Sequence, residues 1–91
     1  MPIPMELKRL GQHFYQGSHE QVATENEWIR NALKGLDANE KRIVKQYLTE
    51  LLNQNPDGAG LQKVWNSMDS DYYIADDEEL RRFLAMIRDA I

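Results

Sequence analysis

Apolar residues recur at helical spacing along nearly the whole chain. Leu7, Leu10 and Phe14 fall at i, i+3 and i+7, with Ile3 one turn earlier and Pro4 in a first turn, where its missing N–H would be an orphan anyway. Gly17 ends this first helix in the pattern, and Ser18 is placed to cap the next. Ile29, Ala32, Leu33 and Leu36 repeat the stripe and extend back one heptad to Val22, while Gln21, Glu25 and Glu27 lie off it. The spacing predicts an amphipathic helix from about His19 to Lys34. Gly35 supplies a left-handed stop, and Asp37 with Glu40 forms a D-x-x-E pattern that satisfies orphan N–H groups in both directions as a third helix begins.

Val44, Tyr47, Leu48 and Leu51, widened by Ile43 and Leu52, give that third helix the broadest apolar face in the chain, so it is expected to be central. Asn55-Pro56-Asp57-Gly58 is a turn by chemistry: Pro fixes φ, Asp bonds its own backbone and Gly accepts positive φ. Leu61, Val64, Trp65 and Met68 define a short fourth helix. Residues 69–75 carry no helical stripe, and Tyr72-Tyr73-Ile74, the single strand-like run, has no partner, so this stretch reads as an ordered loop. Asp76 and Glu79 form a second capping box before Leu80, Phe83, Leu84 and Ile87, a stripe that runs to the end near Ile91 with Arg82 and Arg88 on its polar face. The pattern as a whole predicts an all-α, compact single-domain bundle of about five helices over residues 1–91. Its expected core holds Leu10, Phe14, Ile29, Leu33, Val44, Leu48, Leu51, Leu61, Val64, Leu80, Phe83, Leu84 and Ile87.

Length agrees, since 91 residues suffice for one core. There is no Cys, which removes disulfides, thiolate metal sites and a Cys nucleophile and leaves stability to packing. The net charge of -4, from 11 Lys+Arg against 15 Asp+Glu, disfavours the phosphate backbone on which nucleic-acid binding depends. Met1-Pro2-Ile3-Pro4-Met5-Glu6 lacks the apolar run of a signal peptide, and no stretch has the apolar length of a membrane span, so the expected location is the cytoplasm.

Catalytic patterns fail on spacing. Ser18-His19-Glu20 places three suggestive side chains side by side, but neighbours on a helix project about 100° apart and do not converge as a triad must. His13 and His19 are six apart with a helix break between them, unlike a helical metal pair at i, i+4. Asp69-x-Asp71 begins like a calcium loop, yet Tyr73, Ile74 and Leu80 occupy positions that need a ligand, a turn glycine and a bidentate Glu. Gly58-Ala59-Gly60 lacks both the strand and the Lys-Ser/Thr of a phosphate loop. Neither enzyme activity nor a cofactor is expected.

One local feature survives. Asp69, Asp71, Asp76, Asp77, Glu78 and Glu79 fall within eleven residues that contain no Lys or Arg, and Tyr72 and Tyr73 lie among them. Tyrosines are common interface anchors, and clustered acids steer a basic partner. Two readings stay open: a contact surface for a positively charged protein, built on Asp69, Asp71, Tyr72, Tyr73, Asp76 and Asp77, or one core tyrosine among solvated acids, with the acids at the helix start favoured by its macrodipole.

Segment order adds a family resemblance. Leu7-Lys8-Arg9-Leu10-Gly11-Gln12-His13-Phe14-Tyr15-Gln16, then Leu48-Thr49-Glu50-Leu51-Leu52 before a short turn and Leu61-x-x-Val64-Trp65, resemble small helical immunity proteins of bacterial contact-dependent growth inhibition systems. Asp71-Tyr72-Tyr73 followed by Arg82-Phe83-Leu84-Ala85-Met86-Ile87 is similar to the family's last third. The family continues its aromatic-His-Gln segment with Asp-Trp, whereas Gly17 and Ser18 follow Gln16 here and His13 precedes the aromatic pair, so no role of that Asp-Trp carries over. The resemblance implies a non-catalytic protein that binds and neutralises a cognate toxin, often a nuclease with a basic cleft. The alternative from another class is a small helical adaptor or regulatory subunit for an endogenous protein.

Overall fold

The computed structural model describes residues 3–14, 23–68, 70 and 72–91. Among these the chain forms α1 (Met5–Gly11), α2 (Glu25–Leu33), α3 (Ala38–Asn53), α4 (Gly58–Ser67) and α5 (Asp77–Ala90), and no strand. Side-chain caps start four of the five helices, each relieving N–H groups that have no partner inside the helix. Asp37 and Glu40 make the expected reciprocal box on α3, with Glu40 N–H donating to Asp37 Oδ1 (2.8 Å) and Asp37 N–H to Glu40 Oε1 (3.2 Å). Glu40 also pairs through Oε2 with Arg9, which ties α1 to the start of α3. Asp57 accepts from Gly60 N–H (2.8 Å), so α4 begins at Gly58, a turn earlier than its apolar stripe. At α5 Asp76 accepts from the N–H groups of Glu78 (2.9 Å) and Glu79 (3.1 Å); the reciprocal bond from Glu79 is missing among the described residues, so the second box is only half made.

The first two helices depart most from the spacing. α2 starts after Thr24, whose Oγ1 accepts from Glu27 N–H (3.2 Å) while Glu27 Oε2 accepts from Ala23 N–H (3.0 Å). The stripe through Val22 therefore extends further back than the helix does; the expected stop at Gly17 and cap at Ser18 lie outside the described residues. α1 stops at Gly11, and Phe14 reaches the core from the turn that follows, where His13 N–H bonds Leu10 C=O and Phe14 N–H bonds Gly11 C=O. At that end the backbones of α1 and α4 come close together: a Cβ on Gly11 would lie 1.9 Å from the Met68 carbonyl oxygen at the end of α4.

α5 packs against α2, α3 and α4, while α1 packs against α3. The central helix is therefore α5 and not α3, whose flanking Ile43 and Leu52 stay partly exposed. Every expected core residue is buried except Val64, which sits half-buried on the rim of α4. Leu7, Trp28, Ala32, Leu36, Tyr47, Trp65, Met68 and Ile74 join that core. The radius of gyration, 12.0 Å, is that of a single folded body of this length.

Leu48 is fully buried, and Leu48→Ala is expected to cost about 2–5 kcal/mol in chemical denaturation, the sum of lost transfer energy and an unfilled cavity. Gly11→Ala improves intrinsic helix propensity by about 1 kcal/mol yet should lower stability, because the added methyl has to push the backbones of α1 and α4 away from each other. A melting temperature equal to or above wild type in that variant would show that α1 and α4 do not meet there.

Candidate interaction surface

Five aromatic rings from five separate segments converge behind the acidic loop. Phe14 meets Trp28 edge-on with centroids 5.0 Å apart, Trp65 at 5.9 Å and Phe83 at 5.3 Å. Phe83 in turn touches Trp28 (5.4 Å) and, edge-on, Trp65 (5.7 Å). Tyr72 completes the set, its ring nearly perpendicular to Trp28 at 5.0 Å. Such offset and edge-on pairs contribute about 0.5–1.5 kcal/mol each beyond the area they bury.

Residues 72–76 have no helix or sheet to satisfy their backbone, and side chains of α4 take that role. Trp65 Nε1–H donates to the Tyr72 carbonyl (2.7 Å), and Gln62 Nε2–H donates to the Ile74 carbonyl (2.6 Å). Ser70 Oγ reaches back to the Trp65 carbonyl at 3.5 Å. Ile74 is buried, so the backbone on either side of Tyr73 is held at two carbonyls and one apolar side chain.

Between the start of α2, this loop and the start of α5 lies a groove of about 450 Å³. Trp28, Tyr72, Ile74 and Phe83 line it, with Glu25, Asp76, Glu79 and Arg82 among its polar lining. Tyr73 also lines it and is the one strongly exposed aromatic among the described residues, 75% accessible. Arg82 spans the groove from α5 to α2, both terminal nitrogens 3.4 Å from Glu25 Oε1. Both partners of that pair are about half exposed, where an ion pair stabilises by about 0–1 kcal/mol at most.

The residues singled out from the sequence fall in different places. Tyr72 and Tyr73 share the groove, one as part of its aromatic floor and the other projecting from it. Asp76 also lines it, but its Oδ1 is occupied in capping α5. Asp77 is not part of the lining; its carboxylate accepts from Gln62 Nε2–H (3.3 Å) and packs where a Cβ on Gly58 would sit. Asp69 and Asp71 lie outside the described residues. The α2 side, with Glu25 and Trp28, is absent from the sequence-based site, although Trp28 stands four residues before Ala32 and so on the same helical face. Arg82 belongs to a polar face by its spacing alone, yet it brings a positive charge into a lining otherwise acidic.

Among the described residues no three His, Cys, Asp or Glu side chains gather as a metal site, and no helix is long and apolar enough to cross a membrane. No family model, curated protein or solved structure matches the chain.

Trp65→Phe keeps a large ring in the cluster but deprives the Tyr72 carbonyl of its donor. It should cost about 1–3 kcal/mol in stability. Amide exchange near Tyr73 should accelerate more than exchange in α3, and equal acceleration in both would mean that the indole N–H does not hold the loop.

Proposed function

We propose that the chain is a non-catalytic protein-binding domain that neutralises a cognate toxin by direct binding, with the groove beside Tyr73 as its contact surface. The observation that carries the binding surface is an exposed tyrosine fixed between two pinned backbone positions, beside an aromatic floor and three carboxylates. A residue held in this way loses little conformational freedom on binding, and aromatic anchors of that kind dominate interface energetics. The toxin as partner rests on the resemblance of the Leu7 to Gln16, Leu48 to Leu52 and Tyr72-Tyr73 segments to immunity proteins of contact-dependent growth inhibition systems.

The mechanism follows from charge. A nuclease toxin holds phosphates in a basic cleft, and an inhibitor that presents carboxylates there competes with the nucleic acid while its own field accelerates encounter. Glu25 and Glu79 supply such carboxylates on either side of the groove, and the sequence adds Asp69 and Asp71 just before the tyrosine pair. Asp76 contributes charge while it caps α5, so its removal would mix stability with binding. Tyr72 supports the floor and Tyr73 makes the contact.

The test is a pull-down from the native cell with mass spectrometry, followed by affinity measurements on the captured partner with wild type, Tyr73→Ala and Glu79→Gln. A secreted toxin domain whose activity the chain abolishes is the expected partner. Tyr73→Ala should weaken binding about tenfold or more with an unchanged melt. Glu79→Gln should act mainly on the association rate, with an effect that fades at high salt. A metabolic or regulatory protein in place of a toxin would establish the adaptor alternative. Full affinity of both variants at low salt would place the contact elsewhere on the chain.

A further inference from the structure

α1, α3 and α4 leave a second groove between them, of about 520 Å³, with a character opposite to the first. Tyr47 and Leu51 from α3, Val64 from α4 and Ile3 from the chain just before α1 give it apolar walls. Ile3 and Val64 are only partly buried, so apolar surface is left uncovered. Lys8 on α1 and Lys63 on α4 contribute the charges, and no carboxylate lines the groove among the described residues, although acids outnumber bases 15 to 11 in the chain. Neither ammonium group is in an ion pair among the described residues, where the three pairs belong to Arg9, Arg82 and Arg88. Burial pushes the Tyr47 phenol up from its ordinary value.

We infer that this groove is a docking surface for an acidic amphipathic segment of a partner protein, with an apolar side chain laid on the partly exposed Ile3 and Val64, over the buried Tyr47 and Leu51, and carboxylates set toward Lys8 and Lys63. Charge and shape together select that occupant. A small anion would satisfy the lysines and leave the apolar walls wet, whereas a wholly apolar segment would cover the walls and bring two unpaired ammonium groups out of water. A basic segment is repelled. An amphipathic segment resting one face in a groove meets both demands, with affinity from the apolar contact and orientation from the charges. This surface is lined by other residues than the Tyr73 groove, so it stands or falls independently of the toxin reading.

The experiment is an amide NMR titration of the whole chain with a capped, helix-forming peptide of about twelve residues that carries Leu and Glu on one face. A counterpart with Lys for every Glu, and vesicles of mixed anionic and neutral phospholipid, are run in parallel. Shifts confined to the residues around Lys8, Tyr47, Leu51, Lys63 and Val64 are expected with the acidic peptide, and none with the basic one. A Lys8→Glu, Lys63→Glu double variant should bind about tenfold more weakly or worse, with the difference shrinking at high salt. Lys8→Gln with Lys63→Gln serves the same comparison if charge reversal impairs folding. No shift in this groove at millimolar peptide, or equal binding of the two peptides, overturns the inference. Vesicle binding that depends on both lysines in the absence of peptide binding would overturn it in favour of a membrane surface. Self-association abolished by the double variant in the absence of peptide binding would overturn it in favour of a second copy.

Discussion

Edge-on and tilted contacts among Phe14, Trp28, Trp65, Tyr72 and Phe83 join segments of the chain that local structure does not connect. Phe14 comes from the turn after α1, Trp28 from α2, Trp65 from α4, Tyr72 from the loop and Phe83 from α5, so each ring fixes the approach of one segment to the others. Both tryptophans and both phenylalanines of the chain are spent here. Because Phe83 lies at the middle of the central helix, the cluster also sets where α5 sits against α2 and α4. Tyr72 transmits that order outward: its ring is held by Trp28 and its carbonyl by Trp65, which leaves Tyr73 projecting from a fixed base.

A small domain without disulfides has to hold its irregular segments by other means, and here polar side chains do so at short range. Gln62 and Trp65, three residues apart on α4, point to the same side and satisfy carbonyls of the 72–76 loop. Arg81 performs the equivalent task at the α3–α4 turn, donating to the Asn55 side chain (3.0 Å) and the Pro56 carbonyl (2.5 Å). Asn55 itself adopts positive φ, 49°, a conformation that Asn tolerates better than most residues. At the other end, Gly11 permits the end of α1 to touch α4 backbone to backbone, which closes the bundle without a bulky side chain between them. Close approach, not turn geometry, explains that glycine.

Charge is distributed unevenly over this frame. The groove beside Tyr73 carries Glu25, Asp76 and Glu79 against Arg82, while the groove between α1, α3 and α4 carries Lys8 and Lys63 with no opposing acid among the described residues. A net charge of -4 describes neither face, since each groove presents its own local field to whatever approaches. The Glu25–Arg82 pair sets a guanidinium within the acidic groove, so one of its carboxylates is already partly neutralised.

By itself the sequence determined the helical class, the caps at Asp37 and Asp76 and all but one of the expected core positions, because these depend on periodicity and on side chains reaching their own neighbours. It also located the loop tyrosines that share the groove with the start of α5. What it did not determine depends on contacts between distant segments. Phe14 has helical spacing, but its helix ends at Gly11 and the ring reaches the core from the turn beyond, and Val64 continues its stripe yet faces an open groove. Identical tyrosines take different roles because Trp28 is near enough to hold the ring of Tyr72, leaving Tyr73 outward. The acids separate for the same reason: Asp76 turns to its own helix, Asp77 to Gly58 and Gln62, and Glu79 to the groove. A linear pattern records which residues are apolar or charged, whereas the space each occupies is decided by the elements that pack beside it.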